Sequence, residues 1–586
     1  MTVSERLAAL RQQMAARSLD ACLVVTDDYH GSEYVDDHFK TRAYLSGFTG
    51  SAGTLLVLPD SACLWTDGRY FLQAERQLAG SAITLMRAGQ PGVPTLSAFL
   101  ADTLPDGAAL AFDGRTVSTR LRRTLEKALA ARHIRMADDF DPAAYTWPDR
   151  PPLSAHPVWA FDSGVTRREK LALLRRDMAA QNAAYLLLTD LTDTAWALEL
   201  RGGDVACTPV FPAFLLLGQD SAVLCAQEQS FSPTLRAQLA ADGVLLRPYG
   251  DIYDLLNALP KGTRVMADSA TANSRISGCL SGADWLDAPS PAAKRKAVKS
   301  PSEQEGFRRA HVQDGAALCR FLYAVKSHPE RYTELSASAL LHDLRAAQEG
   351  FLEDSFPAIV AYGAHGAVVH YEPDAETDVP LERRGLLLVD SGGHYRRGTT
   401  DVTRTVALGA LTQEERRMFT VVLQGHIHLA MARFPRGAAG ENLDALARLP
   451  LWQLGLDYDH GTGHGVGCVL SVHESPPAFR WRIADGASHP PLEEGMILSD
   501  EPGYYQPGRF GIRHENLLLV RPAQENFLCF EVLTLAPFDL DALELTLLTA
   551  AEKAWLNDYH RRVRETLSPL LEPEIAAWLA EATRAI

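Results

Sequence analysis

The chain has 586 residues, too many for one hydrophobic core, and a soft expectation of about 150 residues per domain suggests roughly three or four domains. Apolar residues make up 46% and charged residues 22%, the balance of a soluble globular protein. A net charge of −16, from 57 basic against 73 acidic residues with no basic run or stripe, excludes a nucleic-acid binder or a binder of anionic membranes.

The first stretch, MTVSERLAALRQQMAARSLDACLVV, reads as a charged amphipathic helix feeding a strand and lacks the apolar core of a signal peptide. No segment approaches the apolar length of a membrane span. Cysteines 22, 63, 207, 225, 279, 319, 468 and 529 are scattered without CxxC pairs, which predicts buried thiols in a reducing, cytoplasmic compartment without structural disulfides.

LAALRQQMAARSLDACLVV, from Leu7, and LALLRRDMAAQNAAYLLLTD, from Leu171, repeat one helix spacing followed by a short apolar strand. A duplicated α/β unit follows, with two ordinary helix–strand units as the alternative. Proline-rich stretches at 141–157 and 288–302 read as linkers. Ser302-Glu303-Gln304-Glu305 then predicts a capping box opening a helix through Phe307, His311, Ala317, Leu318 and Phe321. Helices alternate with hairpin-like strand pairs as far as 525, and 526–586 is helical in pattern.

The chemistry gathers in this third segment. LLLVDSGGHYRRGTTDVTRT ends an apolar strand on Asp390 and starts another at Asp401. A hairpin turning at Tyr395-Arg396 would put the two aspartates directly opposite each other, a destabilising pair unless a cation lies between them. A metal ion is the first candidate; a solvated hairpin tip, or a bulge that shifts the register, is the alternative. His370 stands alone in AVVHYEP, as a core histidine could. In DHGTGHGVGCVLSVHESP, His460 and His464 have the spacing of a zinc-binding helix, but the glycines oppose a helix and bring the backbone close to a ligand or a packed strand. Glu501 and Glu515 then sit on the two arms of a further hairpin. Two aspartates, two glutamates and a histidine form a hard, oxygen-rich set suited to a pair of divalent ions, manganese before a thiolate-selected metal, and paired ions activate water for hydrolysis.

DSGGHYRRGTTDVTRT, HGTGHGVG and DEPGYY…FGIRHEN resemble, in order and spacing, the signature of the pita-bread metallopeptidases. Within them the chain is most similar to the long, three-domain, cytosolic aminopeptidase P (Xaa-Pro aminopeptidase) group, and the likeness covers nearly the whole chain. It implies an α/β (α+β) fold with two creatinase-like α/β domains at 1–155 and 156–302, a pita-bread catalytic domain at 303–525 and a helical extension at 526–586. It also implies Asp390, Asp401, His464, Glu501 and Glu515 as ligands of two divalent ions, most naturally Mn²⁺, with Asp401 and Glu515 bridging them. A hydroxide between the ions would cut the N-terminal Xaa-Pro bond.

His370, His473 and Glu501 take the catalytic roles in this resemblance, with Glu501 moving the proton. His370, His460, His473, Arg513, Tyr505 and Glu33 would contact or position the substrate. A cytoplasmic homodimer is implied, acting on peptides with proline at the second position, without nucleic acid or membrane. Prolidase, which cuts only Xaa-Pro dipeptides, is the near alternative; a non-catalytic binding protein and metal-free creatinase chemistry are disfavoured by the complete ligand set. His514 departs from the family's apolar residue, and strand alternation turns it away from the ligands, where it could alter the pH response.

Overall fold

The computed structural model describes residues 1–482 and 489–586, in two compact units, Met1–Ala293 and Lys294–Ile586. Each is built on its own cores.

The first unit contains two six-stranded sheets of identical plan. One runs Thr84–Arg87, Ala62–Thr66, Thr54–Val57, Ala21–Val25, Ala109–Ala111, Arg135–Ala137; the other runs Val244–Pro248, Ala222–Ala226, Ala213–Gly218, Tyr185–Leu188, Arg264–Ala267, Asp284–Asp287. In both, neighbours along that order pair parallel, antiparallel, antiparallel, parallel and parallel. The leading helices repeat too. Val3–Ala16 and Arg167–Ala180 each open on a threonine–glutamate capping box, which satisfies backbone N–H groups left bare at a helix start. Leu7, Leu10 and Met14 are buried on one, Leu171, Leu174 and Met178 on the other. The two copies meet reciprocally: Thr119 N–H donates to the Ala272 carbonyl, Ser274 N–H to Val117, Arg120 N–H to Ser269 and Arg275 N–H to Gly114. The duplication anticipated from the helix spacing is therefore an internal pseudo-dimer.

The second unit places helix pairs behind sheets. Pro301–Ser327 and Glu334–Ala346 back the strands Ile359–Tyr362, Leu386–Ser391 and Val402–Ala407 through a core of Leu318, Phe321, Leu322, Ala337, Leu341, Val360, Leu387, Val389, Val402 and Val406. Gln413–Ala430 supplies Leu429 and Ala430, and Asp444–Trp452 supplies Ala447, to a second core with Phe479, Leu498, Leu518, Val520 and Leu528. Those residues line a six-stranded sheet ordered Arg433–Pro435, Phe527–Val532, Asn516–Pro522, Ile497–Asp500, Gly463–Gly465, Glu474–Phe479. Truncating one such leucine to alanine costs about 2–5 kcal/mol, so the strands are held firmly from behind. The helices Ala550–Leu567 and Pro573–Ala582 close the chain.

Two sequence-based expectations shift by two residues. Strand Leu386–Ser391 pairs with Val402–Ala407 so that Asp390 faces Thr403, not Asp401. The residues between leave that sheet: Gly393–Tyr395 and Gly398–Thr399 form a small hairpin that pairs instead with Phe351–Asp354, turning at Arg396-Arg397. Tyr395 anchors it, donating 2.9 Å to Asp314, which is itself paired with Arg345. Gly392 makes the departure possible, because a Cβ there would meet the Thr400 carbonyl oxygen at 1.9 Å. The capping box likewise begins at Ser300 with Glu303, not at Ser302, because Pro301 takes the first helical position, where its missing N–H costs nothing. Replacing Gly392 with alanine is expected to lower stability by about 1–3 kcal/mol through backbone displacement, read as a fall in Tm, whereas Gly250→Ala, at a position of negative φ where a Cβ would meet no neighbour among the described residues, costs less.

Candidate active site

The pleat of Leu386–Ser391 sends Leu387 and Val389 into the helix-backed core and turns Asp390 to the other face. Asp401 lies just before the partner strand, and Glu515 lies between Phe510–Arg513 and Asn516–Pro522. Glu501 follows Ile497–Asp500, and His464 occupies the centre of Gly463–Gly465. That last strand is squeezed between two neighbours. A Cβ on Gly463 would approach the Ser499 carbonyl oxygen to 1.9 Å, so the glycine density serves strand packing.

Asp401, His464 and Glu515 each offer a ligand atom within 4.8 Å of the others. His464 Nε2 is 3.5 Å from Asp401 Oδ2 and 3.4 Å from Glu501 Oε1. His464 Nδ1 donates to the Gly465 carbonyl at 2.9 Å, so the proton sits there and Nε2 presents its lone pair toward the acids. Hydroxyls orient the glutamates: Thr403 donates to Glu515 Oε2 at 2.7 Å and Ser499 to Glu501 Oε1 at 3.1 Å. Asp390 Oδ2 accepts from Arg513 Nη2 at 2.6 Å, while its buried Oδ1 has no hydrogen-bond partner among the described residues.

These carboxyls are costly to ionise together. Burial first, then Asp390 and Glu501, push Asp401 well above the usual carboxylate range; burial first, then Asp401 and Asp390, do the same to Glu515. Burial lifts Glu501 to about 7, opposed by Arg513. Burial alone would lower Arg513, yet Tyr505, Asp390 and Glu501 more than offset it and keep the guanidinium charged. Among the described residues one guanidinium, that of Arg513, stands against these four carboxylates, an imbalance that a divalent ion would offset.

The remaining residues singled out by sequence are placed as follows. Arg513 Nη1 donates to Tyr505 Oη at 2.7 Å, and Tyr505 Oη lies 2.8 Å from His460 Nε2. His460 Nδ1 donates to Gly461 at 2.8 Å, so Tyr505 must donate to Nε2, and burial then holds the neutral imidazole down at about 3. Both His460 nitrogens are thus engaged within the chain. His473 packs edge-on to His464 with ring centroids 4.4 Å apart. His370 follows Val369, whose carbonyl accepts from Arg513 Nη2 at 3.3 Å. Glu33 belongs to the first unit, where Arg69 lies 3.1 Å away and Ser51 donates to it. His514 points away from the acids onto Phe419, ring to ring at 4.4 Å, and burial drives it well below its ordinary value. Burial thus favours its neutral form. Sequence reasoning missed Thr403 and Ser499; only a hydroxyl two residues from an acid, as in Asp401-x-Thr403 and Ser499-x-Glu501, was there to be noticed.

Comparison with known proteins gives a consistent picture. Residues 305–522 match the model of metallopeptidase family M24, 6–141 and 149–303 match creatinase/prolidase N-terminal domains, and 526–586 match the C-terminal region of the M24 peptidases. Aminopeptidase P2 of Arabidopsis thaliana is 36% identical, covering 100% of this chain and 89% of its own. A probable Xaa-Pro aminopeptidase P of Laccaria bicolor is 38% identical over 99% of this chain and 93% of its own. The crystal structure of X-prolyl aminopeptidase from Caenorhabditis elegans, described as a cytosolic enzyme with a di-nuclear active site, superposes with a TM-score of 0.95 at 33% identity, covering 100% of both chains. The Thermococcus sibiricus prolidase, 20% identical with a TM-score of 0.52, covers 64% of this chain and 99% of its own, and shares the fold.

The raised carboxyl values carry a sign. A carboxyl whose folded pKa lies above its unfolded one binds more protons when folded, so it favours the native state at low pH and this contribution is lost as pH rises. For Glu501 the window runs from about 4.3, the ordinary carboxylate value, to about 7. Metal-stripped protein should therefore lose Tm across that window, and Glu501→Gln should flatten the decline; a Glu501→Gln profile parallel to wild type would contradict the electrostatic account.

Proposed function

The chain belongs to the Xaa-Pro aminopeptidases of metallopeptidase family M24, and from that premise we propose that it releases the N-terminal residue of peptides whose second residue is proline, with two divalent cations, preferentially Mn²⁺, held by Asp390, Asp401, His464, Glu501 and Glu515. The observation that carries the metal reading is the convergence of Asp401, His464 and Glu515 ligand atoms within 4.8 Å, with Glu501 against the same imidazole nitrogen. The donor set fits: four carboxylates and one neutral imidazole suit hard oxygen-seeking ions, and the buried Asp390 Oδ1, which finds no partner among the described residues, offers a ready ligand atom. Bound there, such ions supply Lewis acidity for the scissile carbonyl and an activated water.

The chain's own residues do the rest. Glu501 takes the water's proton and delivers it to the proline nitrogen, which, as a tertiary amide, has no hydrogen of its own and must gain one to leave. His473 and His370 donate to the carbonyl oxygen as it gains charge. His460 shapes the site through its ring, since its nitrogens are already bonded to Tyr505 and Gly461. Arg513 and Tyr505 hold Asp390 and His460 in place. The full-length correspondence with aminopeptidase P relatives, against a 64% correspondence with a prolidase, favours peptides over dipeptides.

The same reading divides the chain at 155, 302 and 525 and places it in the cytoplasm; among the described residues no helix is long and apolar enough to cross a membrane. It includes a homodimer, supported by an exposed apolar surface of Leu446, Leu449, Trp452, Leu454 and Trp481, with the two tryptophan rings 5.9 Å apart. Sedimentation should return the mass of two chains; a monomer at micromolar concentration would remove that part of the proposal.

Activity is tested with metal-stripped protein resupplied with Mn²⁺ and offered an Xaa-Pro-Xaa tripeptide, an Xaa-Pro dipeptide and an Xaa-Ala-Xaa control. Release of the first residue from the tripeptide is expected, with Asp401→Ala lowering kcat/KM by about a hundredfold to a thousandfold, the scale of losing a major transition-state stabiliser. Cleavage of the dipeptide alone would reassign the protein as a prolidase, and inactivity on all three would leave a binding role.

A further inference from the structure

His426, on helix Gln413–Ala430, is fully buried and has no part in the chemistry above. It lies against the two strands that end beside the glutamates. Asp500 and Asn516 face each other in the antiparallel pair, Asp500 immediately before Glu501 and Asn516 immediately after Glu515.

The direction of each hydrogen bond follows from what each group can do. Arg404 can only donate, and its Nη2 lies 2.7 Å from Asn516 Oδ1. The amide NH₂ of Asn516 is therefore the group that faces His426 Nε2, at 2.9 Å. Nε2 accepts, so Nδ1 carries the proton. It lies 3.0 Å from the Asp500 carbonyl oxygen and 3.1 Å from carboxyl Oδ2. Arg404 extends the chain of bonds, donating to the carbonyls of Glu515 at 2.6 Å and Thr403 at 2.9 Å. Phe538 and Trp555 close the imidazole off from water, at ring separations of 5.4 and 6.1 Å.

We propose that His426 is a positioning residue of the metal centre: by joining Asp500 to Asn516 it sets the separation of Glu501 and Glu515, and with it the affinity for the more weakly held of the two cations. The inference rests on the reading of those glutamates as ligands. An apolar side chain would keep the helix packed, yet it would leave the Asp500 carbonyl and the Asn516 amide without their shared partner, loosening the end of the strand pair just where Glu501 and Glu515 leave the ladder. Partners beyond the ligands are where metal sites gain affinity, typically about tenfold to a hundredfold.

The test titrates Mn²⁺ into metal-stripped wild type, His426→Gln, His426→Leu and His426→Asn, with circular dichroism confirming that each is folded. Glutamine can donate to Asp500 and accept from Asn516 together, so it should bind both ions with affinities near wild type. Leucine bridges nothing and asparagine is too short to reach both partners; each should weaken the second ion about tenfold to a hundredfold and lower kcat at subsaturating metal, with activity recovered at high Mn²⁺. Wild-type affinities in folded His426→Leu, or in His426→Asn should the leucine variant fail to fold, overturn the proposal. Wild-type protein that holds fewer than two ions overturns it together with the ligand reading, a result distinguishable because it precedes any substitution.

Discussion

Four carboxylates forced into one buried space set the terms for the second unit. Asp401, Glu501 and Glu515 are all held above their ordinary range by burial and then by neighbouring carboxylates, Asp390 among them in each case, and the guanidinium of Arg513 is committed to Asp390 and Tyr505. Isolated buried charge costs several kcal/mol per group unless it is paired. Such a cluster survives only if the surrounding chain is rigid enough to hold the carboxylates together and if a cation compensates them. The helix-backed strands supply the first requirement, and the donor geometry is suited to the second.

Arg404 shows how that rigidity is built. Its buried guanidinium donates to the carbonyls of Thr403, Glu515, Ala536 and Pro537, to Asn516 Oδ1 and to Tyr559 Oη, and it stacks 4.0 Å over the Phe538 ring. One side chain thus ties the Asp401 strand, the Glu515 strand and the C-terminal helix into a single body. A bidentate planar cation can satisfy this many acceptors at fixed angles, which a lysine could not. The C-terminal region is accordingly part of the catalytic scaffold, through Tyr559 and Phe538.

Strand positions and the polarity of their faces could be read from residue patterns, because they depend on neighbours along the chain. The outward turn of His514 and the duplicated helix–strand unit are of this kind. Register was not legible. The alternation around Asp390 allows any even shift, and the choice was made by Gly392, which permits a bend, and by Tyr395, which is drawn to Asp314 far away in sequence. The capping frame failed for a similar reason: Ser300 and Ser302 both precede a glutamate by three, and only the preference of Pro301 for the first helical turn separates them. The acids of the cluster could be picked out through their spacing and family likeness, whereas Thr403, Ser499, His426 and Asn516 acquire meaning only through partners brought together by the sheet.

The central claim is that this acid cluster is a site for two divalent cations. It is tested most directly by crystallising the protein with Mn²⁺ and measuring the anomalous difference density at the manganese edge. Two peaks are predicted, both within bonding distance of Asp401 and Glu515, one shared with Asp390 and the other with His464 and Glu501. A single peak, or density placed away from these five residues, would contradict the account.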